Sequence, residues 1–207
     1  SSEAFLVLKN LFATREKSRG VFVPAEGRWC PIRTPQRSGL KFVMGPADWD
    51  NHTVLVLETN VYDDVADFLM SIVATNRLRK PEDRENLGVF IDPLDSLLLR
   101  SDLEKGIADA YKVAGPQVIT KKLWAKMAMP FIKDGHICIY SSQVTSAPKI
   151  DPYSKDPVRQ GQSSGGFSIQ HQADTVLEFM NRNQSDYILQ NAGDKKYDEK
   201  KNPKVGH

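Results

Sequence analysis

Cysteine is scarce in this chain, with only Cys30 and Cys138 among 207 residues. Two cysteines so far apart in sequence suit free thiols in a reducing compartment and exclude the disulfide framework of a small secreted scaffold. Net charge is nearly absent as well. Lys and Arg number 28 against 26 Asp and Glu, a formal +2, which excludes a histone-like binder working through a global positive field. Long hydrophobic runs are missing too: the mean hydropathy is −0.43, and no apolar stretch approaches the roughly 20 residues that a membrane-spanning helix needs. The chain opens on Ser1-Ser2-Glu3 without a charged-then-apolar leader, so the expectation is a soluble, intracellular protein. His52, His136, His171 and His207 stand at no metal-ligand spacing from each other or from the cysteines, so no structural zinc site is expected. Ser163-Ser164-Gly165-Gly166 lacks the GxSxG pattern of a nucleophile turn. Internal repeats are absent.

What the chain has is alternation. Ala4, Phe5, Leu8, Leu11 and Phe12 recur at helical spacing and predict a helix over residues 2 to 16. Gly20-Val-Phe-Val-Pro24 and Val54-Leu-Val-Leu57 read as short buried strands, with an irregular stretch between them. Val61, Val65, Phe68, Leu69, Ile72 and Val73 predict a second long helix, residues 79–86 a surface connection, and Leu87-Gly-Val-Phe-Ile91 a third strand. A helix over 118–132, a strand His136-Ile-Cys-Ile-Tyr140 and a closing hairpin at 175–179 and 187–190 complete the pattern. The expected architecture is an α/β domain, a mainly parallel central sheet with helices on both faces and an antiparallel C-terminal edge. Residues 1–190 form that core, and 191–207, with five lysines and little apolar content, read as a solvated loop or linker. The start at Ser1 and the turn-like end at Asn202-Pro203 read as boundaries within something longer.

In an open parallel sheet ligands bind at the carboxyl ends of the strands. Glu26 follows the first strand, Asp92 ends the strand Leu87 to Ile91, and Gln143 comes just past the strand ending at Tyr140. An acid directly after a hydrophobic strand is how nucleoside-triphosphatases hold Mg²⁺, and an acidic turn residue is the simpler alternative. Residues 144–166 form a polar stretch with Lys149, Lys155, Arg159 and the pair Gly165-Gly166, too long for a routine connection. Its cations suit phosphate contact; a solvated lid is the alternative. A second loop, 100–115, leads toward Lys121, Lys122 and Lys126, which read more simply as a wet helix face. Trp124, Met127 and Met129 suit packing in a core or a subunit contact.

Taken together, Ser1, Glu26, Asp92 and Gln143 at these spacings resemble the ATPase core of RecA-type recombinases, most closely the phage-encoded branch, over nearly the whole chain. The resemblance implies a RecA-like P-loop NTPase core. Ser1 would match the final hydroxyl of the phosphate loop GxxxxGK[ST], whose glycines and lysine would lie upstream, and with Asp92 it would ligate Mg²⁺. Val21-Phe-Val-Pro-Ala-Glu26 is similar to the strand that delivers the water-activating glutamate, although Pro24 stands where the family usually has an acid. Ser96 would support Asp92, Arg33 would stack near the adenine, and Gln143 would pass the state of the γ-phosphate to the DNA-binding loop 144–166. The implied cofactors are ATP and Mg²⁺, and the implied partners are single- and double-stranded DNA and further copies of the chain in a helical filament. Homologous pairing and strand exchange in a bacterial or phage-infected cytoplasm, serving recombination and repair, would be the activity. A hexameric RecA-fold helicase or motor, and a non-hydrolysing DNA-binding scaffold, remain as alternatives.

Overall fold

The structure is a computed structural model, and it describes residues 2–104, 130–131, 133–142, 144–145, 162–163, 173, 175 and 177. The chain divides into two compact units, Ser1–Gln172 and Ala173–His207, and every element below belongs to the first. Helix α1 (Ser2–Thr14) is followed by β1 (Ser18–Val23), α2 (Arg33–Ser38), β2 (Lys41–Val43), β3 (Thr53–Val56), α3 (Tyr62–Leu78), β4 (Asn86–Ile91), α4 (Arg100–Leu103) and β5 (Ile137–Tyr140). Strands β1 to β5 form one sheet in the order β2-β3-β1-β4-β5, and every neighbouring pair is parallel. The domain is therefore α/β with a mainly parallel sheet, as the alternating pattern predicts. Among the described residues, no helix is long and apolar enough to cross a membrane.

Burial follows strand position. The central strands β1, β3 and β4 are buried nearly throughout, whereas the edge strands β2 and β5 are half-open. Alternate residues serve opposite faces because side chains along a strand alternate. Val21, Val23, Leu55, Val89 and Ile91 pack with Val65, Ala66, Leu69 and Val73 of α3. Phe22, Val54, Val56 and Phe90 pack on the other face with Ala4, Phe5, Leu8, Leu11 and Phe12 of α1. Two glycines let α1 approach the sheet closely. A Cβ on Gly88 would collide with the Leu8 and Leu11 side chains, and one on Gly20 would stand 2.9 Å from Val54 Cγ2 and 3.1 Å from Phe12. The Phe5 ring then meets Phe22 and Phe90 edge-on at 5.2 and 5.3 Å.

The stretch between the first two predicted strands is more ordered than its sequence indicates. It holds α2 and β2, and neither carries the usual signal. Helix α2 contains a proline and no buried residue, and it ends at Gly39 in the left-handed region (φ 66°), whose amide donates to the Pro35 carbonyl. Strand β2 is three residues long and takes its register from β3, Lys41 opposite Thr53. Val144–Thr145 (β6) and Gln162–Ser163 (β7) form a short antiparallel ladder at the two ends of the stretch read as a loop. Of the helix expected over 118–132, only Pro130 and Phe131 are described, and both are helical. The hairpin at 175–179 and 187–190, the tail 191–207 and the basic positions Lys121, Lys122 and Lys126 lie outside the described residues, apart from Thr175 and Leu177.

His136 links β4 to the turn before β5. Its Nδ1 accepts the Leu87 amide at 3.1 Å, its ring meets Phe131 edge-on, and its buried Nε2 finds no hydrogen-bond partner among the described residues, with Asp134 4.0 Å away. Desolvation by burial holds its pKa below the ordinary 6.5; Asp134 opposes that shift and Arg77 adds to it. The unfolded chain therefore binds this proton more readily, so the stability is fully present above about pH 6.5 and is lost as pH falls through and below it. Urea unfolding midpoints should drop as pH is lowered across this window. The drop should shrink in His136→Gln, and an identical drop in that variant would contradict the assignment.

Candidate functional site

The carboxyl ends of β1, β4 and β5 finish level with one another, because Val23 pairs with Ile91 and Ile91 with Tyr140. Past these residues the ladder continues by one more bond on each side, Asp92 N–H to Val23 O at 2.9 Å and Ser141 N–H to Ile91 O at 3.0 Å. After β1 the chain runs to β2 at one edge of the sheet, and after β4 it runs to β5 at the other. The loops diverge at this point and leave a crevice between them, the position where open α/β sheets bind ligands.

Glu26 is carried on a tight turn. Pro24 stops β1, and its carbonyl accepts the Gly27 amide at 2.8 Å, with Gly27 at φ 68°, a conformation that favours glycine. Pro24 thus has a structural role in presenting Glu26. The carboxylate of Glu26 is engaged at both oxygens: Ser96 Oγ donates to Oε1 at 3.0 Å, and Arg28 Nε pairs with Oε2 at 3.0 Å. Ser96 closes the single helical turn Leu94–Ser96 after β4, held in place by Leu94 and Leu97, each 1% exposed. Asp92 begins the same connection, and Ser141 Oγ donates to its Oδ1. Leu94 N–H to Ser141 O, at 2.9 Å, binds the two strand ends again through the backbone. Asp95, which reads as a turn residue in sequence, accepts from Ser142 Oγ at 3.0 and 3.2 Å.

The structure therefore brings Glu26, Asp92 and Ser96 together from β1 and β4, with Ser141 and Ser142 joining from β5. Arg33 opens α2, is exposed, and its amide donates to Cys30 Sγ at 3.4 Å. Hydrogen bonds from the Arg33 and Ile32 backbone hold the Cys30 thiol below its ordinary pKa. Ser1, Gln143, Lys149, Lys155, Arg159, Gly165 and Gly166 lie outside the described residues. Beside the acids is an open cleft of about 640 Å³ between α1 and α2, lined by Phe5, Leu6, Lys9, Phe22, Arg28, Thr34, Arg37, Ser38 and Asp92. Arg33 is not part of its lining, whereas Thr34 and Arg37 from the same helix are.

Sequence reasoning missed Arg28, Ser141 and Ser142. The serines had a legible signal: they directly follow the apolar run ending at Tyr140, and the carboxyl end of a strand is where an open parallel sheet places ligand groups. Arg28 had none, since an arginine two residues from a glutamate is ordinary in any loop.

Carboxylate and hydroxyl oxygens are the donor set a hard divalent cation prefers, and Asp92 with Ser141 beside it offers one of each; among the described residues no group of three or more His, Cys, Asp or Glu side chains is placed to hold a metal ion. No family model matches the chain, and no curated protein matches it.

Removing the Ser141 hydroxyl leaves Asp92 Oδ1 without that donor. Ser141→Ala should cost about 1 kcal/mol in urea unfolding, and the cost should vanish when Asp92 is already alanine. An equal cost in both backgrounds would show that the hydroxyl acts elsewhere.

Proposed function

We propose that this chain is the ATPase core of a DNA recombinase of the RecA type, hydrolysing ATP with Mg²⁺ and working on single-stranded DNA as a filament that promotes pairing and strand exchange. One observation carries the reading. Two carboxylates from adjacent parallel strands, Glu26 and Asp92, stand at the crevice where the loops after β1 and β4 diverge, and Ser96 joins the acid-bearing turn to Glu26 at 3.0 Å. This arrangement supports a division of labour suited to nucleoside triphosphate hydrolysis, one acid for the metal and one for the water.

In this reading Asp92 would hold Mg²⁺, with Ser1 as the further ligand that the resemblance implies, and the bound ion would supply charge neutralisation for the phosphates. Glu26 orients the attacking water and accepts its proton as the new oxygen–phosphorus bond forms. The bond from the γ-phosphorus to the ADP oxygen breaks, and the proton passes on to solvent, leaving ADP and inorganic phosphate. Ser96 fixes the Glu26 carboxylate through Oε1. Gln143 and the basic segment 144–166 would carry the coupling to DNA, and Arg33 would serve the base of the nucleotide. A non-hydrolysing scaffold on the same fold is the competing reading.

The test is ATP hydrolysis by the full-length protein with and without single-stranded DNA. Hydrolysis should be stimulated by DNA and should fall by about 100-fold or more in Glu26→Gln, while the variant still binds DNA. Hydrolysis that Glu26→Gln leaves intact would overturn the role given to Glu26. DNA binding with no hydrolysis under either condition would make the protein a scaffold.

A further inference from the structure

The cleft beside Asp92 has an unbalanced charge. Among the described residues its lining holds three cations, Lys9, Arg28 and Arg37, against the carboxylate of Asp92. Arg28 is engaged by Glu26. Lys9 and Arg37 make no salt bridge among the described residues, although Lys9 Nζ lies 3.4 Å from where a Cβ on Gly39 would stand, at the end of α2. Like charges gathered in a concave site repel one another and concentrate anions from solution. The volume, about 640 Å³, falls within the range of small-molecule sites. Phe5, Leu6 and Phe22 give one side an apolar surface, so the shape and chemistry suit a molecule with a polyanionic end and a less polar end.

We propose that the cleft holds the phosphates of a nucleoside polyphosphate on Lys9, Arg37 and Arg28, and that Arg28 moves between two partners, Glu26 in the free protein and a phosphate when the ligand is bound. The second half rests on the reading of Glu26 as the water-activating base. An arginine fork takes phosphate bidentately, and the side chain of Arg28 is 83% exposed, so it turns without disrupting packing and leaves an ion pair that solvent already weakens. Glu26 is then released from Arg28 only when a polyphosphate is present. Arg28 is a positioning residue for Glu26 as well as a ligand contact.

The probe is Mg²⁺-tripolyphosphate, titrated into the full chain by calorimetry and by the fluorescence of Trp29 in a variant carrying Trp49→Phe and Trp124→Phe. The Trp29 ring adjoins Arg28 in sequence and packs at 5.2 Å from Phe42 and 6.2 Å from Phe22. Lys9→Gln combined with Arg37→Gln should weaken binding about tenfold or more, a change of about 1.4 kcal/mol. Arg15→Gln, an exposed cation away from the cleft lining, should leave it unchanged, and all three sites are exposed, so folding is preserved. Arg28→Ala should weaken binding, and Glu26→Gln should strengthen it by freeing Arg28 from its carboxylate partner.

Unchanged affinity in the Lys9/Arg37 double variant overturns the site. Equal affinity for orthophosphate and tripolyphosphate, or competitive displacement of tripolyphosphate by single-stranded DNA, overturns the nucleotide assignment. Unchanged affinity in Glu26→Gln overturns the exchange of Arg28. None of these readouts requires hydrolysis, so the cleft stands or falls separately from the ATPase reading, which Glu26→Gln kinetics decide.

Discussion

A parallel sheet must be covered on both faces, because each of its connections crosses from the carboxyl end of one strand to the amino end of the next and carries a helix or loop over a face. Here α3 covers one face and α1 the other. The same constraint gathers every β-to-α connection at one end of the sheet. Glu26, Asp92 and Ser141 meet there although 115 residues separate the first from the last, because the strands that precede them are neighbours in register. The site is a consequence of the pairing, and it needs no long-range element beyond the sheet itself.

Hydroxyl groups then fix the carboxylates. Ser96 reaches Glu26, Ser141 reaches Asp92 and Ser142 reaches Asp95, so three successive strand ends are cross-linked by side chains above the last ladder bond. Each such bond contributes modestly to stability. Their larger effect is geometric, since they hold acids at defined positions on connections that would otherwise be free to vary. The turn Leu94–Ser96 is the common element: it bonds to β1 through Ser96 and to β5 through Leu94 and Asp95, on a base of buried leucines.

The long elements were legible in the sequence because their signal is strong. The spacing of Ala4, Phe5, Leu8, Leu11 and Phe12 marks α1, and the runs before Pro24 and Asp92 mark β1 and β4, the two strands that carry the site. Boundaries shifted by a few residues at most, with β1 beginning at Ser18 where the pattern starts at Gly20. Helix α2 and strand β2 were not legible, because one is a polar helix built around Pro35 and the other is an edge strand whose partner defines it. At the site, Glu26 and Asp92 were found by their position after strands. The bonds from Ser96 and Ser141 to those acids depend on which strands lie side by side, and one sequence does not contain that order. The cleft was hidden for the same reason, since Lys9, Arg28 and Arg37 come from separate segments whose proximity follows only from how α1 and α2 lie over the sheet.

On the reading proposed above, a Mg²⁺-nucleotide binds at the shared carboxyl end of β1 and β4. A crystal structure of the full chain with a non-hydrolysable ATP analogue and Mg²⁺ tests it most directly. The metal should appear beside Asp92, with the γ-phosphate facing Glu26 and the rest of the nucleotide bordered by the cleft between α1 and α2. A nucleotide bound at any other surface, or none bound at saturating concentration with the sheet intact, would contradict it.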